Sequence, residues 1–183
     1  DRSKFMGLEL AGKTLGLVGL GRIGREVGKR AVAFGMKVLA YDPFISSEQA
    51  AAMGLELCDF KDLLGRSDFV SLHVPLTEKT RHMVDAKSLE WFKKGARLVN
   101  CARGELVDDA ALAAALESGR LAGAGLDVFE DEPRVHPGLL SLEQVVVVPH
   151  IGSASRATRL RMATLAAENC VAALAGRRPP NLV

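Results

Sequence analysis

The chain has 183 residues, 48% of them hydrophobic and 25% charged, and a formal net charge of +2. That balance suits one globular domain with a sizeable core and excludes a disordered or fibrous chain. The small charge, without long lysine or arginine runs, gives no electrostatic basis for a nucleic-acid or membrane-surface partner. No apolar stretch approaches a membrane span, and the start, "DRSKFMGLEL", lacks a signal-peptide core. Cys58, Cys101 and Cys170 are odd in number, far apart and outside any C-x-x-C pattern, so neither a disulfide frame nor a zinc knuckle is expected. A reduced, cytoplasmic setting fits best.

In chain order, apolar runs alternate with helical periodicity. This predicts an α/β fold with a doubly wound parallel sheet covered by helices on both faces, a three-layer arrangement. "TLGLVGL" (14–20) reads as a buried strand. The next segment places Ile23, Val27, Ala31 and Phe34 on one helical face, and Gly35 ends it. "KVLAYD" (37–42) is the second strand, and "SSEQAAAMG" has the serine start, early glutamate and glycine end of a short helix. After "LELC" and "FKDLLG", the strand candidates are "DFVSLHVP" (68–75), "ARLVNCA" (96–102), "LAGAGLD" (121–127) and "QVVVVPH" (144–150). "DAKSLEWFKKG" and "DDAALAAALESG" between them are helical in pattern. A last helix from about Ser153 to Ala175 puts Leu160, Ala163, Ala167, Val171 and Leu174 on one face.

The loop after the first strand, "GLGRIG", carries Gly19, Gly21 and Gly24. In a strand-to-helix turn the first glycine allows the tight turn, the second lets backbone approach a pyrophosphate, and the third permits close packing of the helix. The phosphate then meets free N–H groups at the positive end of the helix dipole. Asp42, 18 residues after Gly24 at the end of the second strand, is placed to accept ribose hydroxyls and to repel a 2′-phosphate. NAD is therefore favoured over NADP. "GLELAGKT" (7–14) also matches the P-loop pattern, but Thr14 begins a strand there instead of a helix, so that reading fails.

In open parallel sheets ligands lie beyond the carboxyl ends of the strands. The residues at those ends are the glycine loop, Asp42, His73, Arg103, Asp127 and His150, which together read as the rim of a site. Arg103 follows an apolar strand, and its planar guanidinium suits bidentate binding of a small carboxylate. Asp108 reads as a helix N-cap. His150 gains chemical meaning only with a carboxylate partner, for which Glu130, Asp131 and Glu132 all stand as candidates.

"GKTLGLVGLGRIGREV", "AYDPFIS", "VNCARGELVD", "GLDVFEDEP" and "PHIGSAS" resemble the successive signatures of the D-isomer-specific 2-hydroxyacid dehydrogenases. The first half is most similar to 3-phosphoglycerate dehydrogenases and the ending to glyoxylate and hydroxypyruvate reductases. The resemblance implies a Rossmann-like dinucleotide-binding domain over residues 1–183, with the family's substrate-binding lobe absent from this chain. It implies Arg103 as the group that binds and polarises a 2-oxo acid, His150 as acid and base, and Glu132 as the carboxylate that orients the histidine. Arg22 and Ile23 would meet the pyrophosphate, Asp42 the adenosine ribose and Asp127 the nicotinamide side. Val74, Pro75, Cys101, Gly152 and Ser153 would line the cofactor groove. The resemblance also implies an NAD-dependent oxidoreductase acting on a small 2-oxo or 2-hydroxy acid, with no metal and a homodimeric assembly. Apolar segments around Phe5 to Leu10 and in the 110–116 helix would serve the two-fold contact. A noncatalytic NAD-sensing module of corepressor type is the competing expectation.

Overall fold

A computed structural model describes residues 6–182. The chain divides into two compact units, residues 1–149 and 150–183. The strands of the first unit are β1 (Thr14–Val18), β2 (Lys37–Tyr41), β3 (Glu56–Leu57), β4 (Phe69–Leu72), β5 (Ala96–Asn100), β6 (Leu121–Leu126) and β7 (Val145–Val147). Its helices are α1 (Arg22–Ala33), α2 (Ser47–Ala51), α3 (Phe60–Arg66), α4 (Ala86–Leu89), α5 (Asp109–Glu117) and α6 (Pro137–Leu140). The strands form one seven-stranded sheet in the order β3-β2-β1-β4-β5-β6-β7. Every neighbouring pair is parallel, as crossover connections require. β1 is where the winding reverses: Leu15 pairs with Val38 of β2 on one side and Phe69 of β4 on the other. That reversal opens a crevice beyond the carboxyl ends of β1 and β4.

Alternate residues of each strand feed opposite faces. Leu17, Val38 and Ala40 pack in one core cluster with Ala31 of α1. Val18 and Leu39 pack in the other with Leu63 and Leu64 of α3 and Leu112 and Leu116 of α5. In the 110–116 helix Leu112, Ala113, Ala115 and Leu116 are buried in the core, while Ala110 and Ala114 are exposed. Of the other expected contact segment, Phe5 lies outside the described residues, while Met6, Leu8 and Leu10 are exposed.

The expected buried face of α1 is displaced in part. Ile23 and Phe34 are 67% and 63% exposed, whereas Ala31 is buried and Val27 packs partly against the core as expected, with Gly24 and Gly28 buried beside them. A Cβ on Gly28 would stand 3.1 Å from Leu17 Cδ1, so α1 lies close to β1 through its small residues. Gly35 does end the segment, with φ of +73°. α2 starts with a capping box between Ser46 and Gln49, and α5 starts with Asp108 accepting from the Ala111 N–H at 2.9 Å. α4 stops at Leu89, well before the expected glycine, and a 3₁₀ turn at Gly104–Leu106 and the four-residue α6 were not expected. Residues 7–10 form no strand, and Thr14 opens β1, as the rejection of the P-loop required.

The second unit is built on α7 (Arg156–Leu174), whose N-cap Ser155 accepts from the Thr158 N–H at 3.1 Å. Its tail folds back through Asn181, whose N–H donates to Asn169 Oδ1 at 3.0 Å. The expected apolar face is not buried: Leu160, Ala163, Ala167, Val171 and Leu174 are all exposed, and Ala172 is the helix's buried residue. Among the described residues no helix is long and apolar enough to cross a membrane, and no His, Cys, Asp or Glu cluster could hold a metal ion. Cys58, Cys101 and Cys170 are free.

Candidate functional site

The glycine loop leaves β1 at the reversal point. Gly19 has φ of +100°, and a Cβ there would meet the His73 carbonyl at 2.9 Å and Val74 Cγ1 at 3.0 Å. The turn therefore needs glycine twice over, for its dihedral and for its approach to the segment after β4. That contact sets Val74 and the neighbouring Pro75 beside the loop. Gly24 is closed in as well: a Cβ would lie 2.0 Å from the Gly19 carbonyl oxygen. Its neighbour is thus the turn itself.

Gly21 differs from both. Its φ of −66° suits any residue, and a Cβ would meet nothing within 4 Å. Neither dihedral nor packing within the chain explains a glycine there. The open space lies at the N-cap of a 12-residue helix with no side-chain cap and no acidic residue in its first turn. Unmasked N–H groups, a favourable dipole and room for close approach are what a pyrophosphate requires, so the loop fits a dinucleotide. Arg22 and Ile23, the first two helical residues, are exposed at this end.

Asp42 sits at the end of β2 with both oxygens engaged. Oδ2 accepts from the Leu20 N–H at 2.7 Å and Oδ1 from the Phe44 N–H at 2.9 Å. The second bond is the ordinary turn role of an aspartate before proline, and the first ties the carboxylate to the glycine loop. A carboxylate offers about four acceptor positions, so ribose hydroxyls can still be received. His73, the strand-end residue of β4, has no such reach. It is bonded through Nε2 to Ser71 Oγ at 3.0 Å, and burial holds it below the ordinary histidine range. It is a neutral structural residue.

Beyond β5 the chain turns on Asn100, a buried residue that sequence reasoning passed over. Its Nδ2 donates to the Arg103 carbonyl at 2.8 Å, and its Oδ1 accepts from the Ala102 N–H at 3.1 Å. Arg103 is thereby presented at the surface on a fixed turn, with Nη1 donating to the Ala102 carbonyl at 2.6 Å. Cys101 lies in the same turn, and its thiol is pushed up first by burial and then by the negative charge of Asp127. It stays protonated at neutral pH. Asp127 is buried just past β6, where its N–H donates to the Asn100 carbonyl at 3.0 Å.

Gly104 joins this turn to the next. A Cβ there would overlap the Phe129 carbonyl at 1.9 Å, so only glycine lets the Arg103 turn lie against the backbone of the 129–132 segment. Glu132 closes that segment on itself by accepting from the Phe129 N–H at 3.2 Å. The other two candidate carboxylates are engaged nearby: Glu130 with His82 at 2.6 Å and Asp131 with Arg134 at 2.5 Å. The first unit thus brings together the glycine loop, Val74, Pro75 and Asp42 on one side of the reversal point, and Cys101, Arg103, Asp127 and Glu132 after β5 and β6. His150 opens the second unit, with Gly152 and Ser153 following. It has φ of +53°, a left-handed conformation that costs a non-glycine residue about 1–3 kcal/mol.

A doubly wound parallel sheet with an uncapped glycine turn at its reversal point and an acidic residue ending the next strand defines a dinucleotide-binding domain. Comparison with known proteins gives the family. Residues 1–152 match the model of the D-isomer specific 2-hydroxyacid dehydrogenase NAD-binding domain, and the chain belongs to that family. It is 48% identical over 184 residues to the D-3-phosphoglycerate dehydrogenase of Methanocaldococcus jannaschii, covering 100% of this chain and 35% of the relative. It is 51% identical over 179 residues to the glyoxylate reductase of Thermococcus litoralis, covering 98% and 54%. Among solved structures, D-lactate dehydrogenase with NAD+ from Lactobacillus jensenii superposes with a TM-score of 0.87 at 34% identity, over 98% of this chain and 58% of that one. The chain spans between about a third and about half of the length of the curated relatives it matches.

Proposed function

We propose that residues 1–183 act as the cofactor-binding half of an NAD-dependent dehydrogenase for small D-2-hydroxy acids, working with a substrate-binding lobe like the additional length its relatives carry. The observation that carries the reading is Gly21, whose open space at an uncapped helix start has no use within the chain and a direct use in phosphate binding. Arg22 and Ile23 hold the pyrophosphate, Asp42 the ribose, and Val74, Pro75, Cys101, Asp127, Gly152 and Ser153 the rest of the cofactor. The bound nicotinamide supplies or takes up the hydride at the substrate's second carbon.

Arg103 binds the substrate carboxylate and polarises the 2-oxo group. Protonated His150 donates to the ketone oxygen during reduction, and neutral His150 accepts the hydroxyl proton in the reverse direction. Glu132 orients the imidazole ring of His150. 3-Phosphoglycerate or glycolate, with their oxo partners, are the substrates the named relatives favour, and glycerate is a third candidate of the same class. The same relatives support an oxidoreductase over a noncatalytic NAD-sensing module. A cytoplasmic homodimer completes the proposal, with the exposed Met6, Leu8 and Leu10 at the two-fold contact.

Titration of the chain with NADH and NADPH, followed by fluorescence, tests the cofactor reading. NADH binds more tightly, and Asp42→Ala narrows the gap. Equal affinities in the unmodified chain remove Asp42 from the ribose site, and binding of neither removes the function.

A further inference from the structure

The segment carrying Glu132 is held from outside by groups that the proposed chemistry does not use. His82 Nε2 lies 2.6 Å from Glu130 Oε1, a contact spanning 48 residues of sequence. Asp109 Oδ2 takes the Glu130 N–H at 3.2 Å. Glu130 is thus gripped by side chain and main chain at once, two residues before Glu132. Asp109 is a buried carboxylate whose pKa is raised first by burial, so the fold tolerates a costly group at this point.

His82 is itself fastened to the other side of the site. Its N–H donates to the Glu105 carbonyl at 2.8 Å, the Val84 N–H to the Leu106 carbonyl at 3.0 Å, and the Asp108 N–H to the Val84 carbonyl at 2.9 Å. Residues 82–84 therefore run as a short parallel ladder beside the segment that follows Arg103, with Val84 bridged to Val107. His82 adopts φ of +48°, a left-handed conformation that costs a histidine about 1–3 kcal/mol. The ladder over-determines that conformation, and the ring meets Glu130.

We infer that His82 and Asp109 are positioning residues: through Glu130 they brace the Arg103 turn against the Glu132 segment and so fix where the two working side chains stand. The inference rests on the proposed roles of Arg103 and Glu132. His82 touches neither substrate nor cofactor in this scheme; it acts through Glu130. Gly104 allows the two segments to approach, and the His82–Glu130 contact holds them in register.

The test has two arms. In the first, amide hydrogen exchange is followed in this chain and in its His82→Ala, His82→Gln and Asp109→Ala variants. His82→Ala and Asp109→Ala speed exchange at Phe129 and Glu130 by about tenfold or more, while β1 and β4 keep their protection. His82→Gln, which retains a donor for Glu130, restores slow exchange. Unchanged exchange at 129–132 in both alanine variants overturns the brace, whatever Glu132 does.

In the second arm the chain is joined to the substrate-binding portion of the Thermococcus litoralis glyoxylate reductase, and glyoxylate reduction is followed against pH. His82→Ala lowers kcat by about 10- to 100-fold, because small misplacements of working groups are costly. It also moves the upper pH limit in the same direction as Glu132→Gln, and His82→Gln recovers both. An unmoved limit in Glu132→Gln overturns the reading of Glu132 itself. A moved limit in Glu132→Gln with an unmoved one in His82→Ala overturns the brace alone.

Discussion

The three glycines of the loop should respond differently to the same added methyl group, and the difference can be worked out from their surroundings. In Gly24→Ala the Cβ would stand 2.0 Å from the Gly19 carbonyl oxygen, so main chain must move by more than an ångström. Overpacking of this kind costs about 1–3 kcal/mol, and a backbone atom that cannot rotate away puts the site at the upper end. Replacing glycine inside a helix returns about 1 kcal/mol, which leaves a net loss near 2 kcal/mol. For a chain of this size that lowers Tm by about 4–8 °C. In Gly21→Ala the Cβ meets nothing within 4 Å and φ is −66°. The weaker N-cap preference of alanine and the reduced freedom of the unfolded chain roughly cancel, so stability stays within about 1 kcal/mol. The new methyl nevertheless occupies the space a pyrophosphate needs, and NADH affinity falls by about tenfold or more. Thermal melts with NADH titration of both variants separate the two effects. If Gly21→Ala binds NADH like the unmodified chain, the phosphate does not lie there; if Gly24→Ala melts like the unmodified chain, the packing argument is wrong.

Gly104→Ala should be the most damaging glycine substitution after β5, because its Cβ would overlap the Phe129 carbonyl; the loss is read as a lowered urea midpoint. Burial holds His73 below its ordinary value of 6.5, so below that pH the unfolded chain takes up a proton that the folded one refuses. Stability therefore declines as pH falls from about 6.5 until His73 protonates in the folded state, and His73→Gln should flatten that decline in urea midpoints. Asn100→Ala leaves the Arg103 carbonyl and the Ala102 N–H without their side-chain partner, which should cost about 1–3 kcal/mol in the same measurement. Light scattering at high micromolar concentration should report a dimer, and a monomer would count against the assembly proposed above.

Sequence patterns were most legible where a period or a local cap decides the structure. The strands of "TLGLVGL" and "KVLAYD" and the caps of α2 and α5 follow from residues within a few positions of one another. α1 was legible as a helix but only partly in its orientation, because hydrophobicity points to Ile23 and Phe34 whereas close packing selects Gly24 and Gly28. The apolar face of α7 has the right period, but period alone does not say whether anything covers it. Among the candidate site residues, Asp42, Arg103 and Asp127 were legible in their placement beyond β2, β5 and β6. Asn100 was not, since its role is to bond main chain three residues away from inside an apolar strand. The pairing of His82 with Glu130 was beyond reach for another reason: only the ladder at 82–84 brings together residues so far apart in sequence.

Asp42 carries a lesson for anyone wishing to exchange one nicotinamide coenzyme for its phosphorylated counterpart. The carboxylate that would have to be removed also receives the Leu20 N–H at 2.7 Å, immediately after the tight turn at Gly19. Deleting it to admit a second phosphate would release the very loop that must hold the first two. A replacement has to shed the charge yet keep an oxygen in the same place, which makes asparagine a sounder starting point than alanine and puts compensating basic residues on a neighbouring segment. With the ribose role proposed for Asp42, coenzyme preference and loop geometry fall to one side chain, so they cannot be tuned independently at this position.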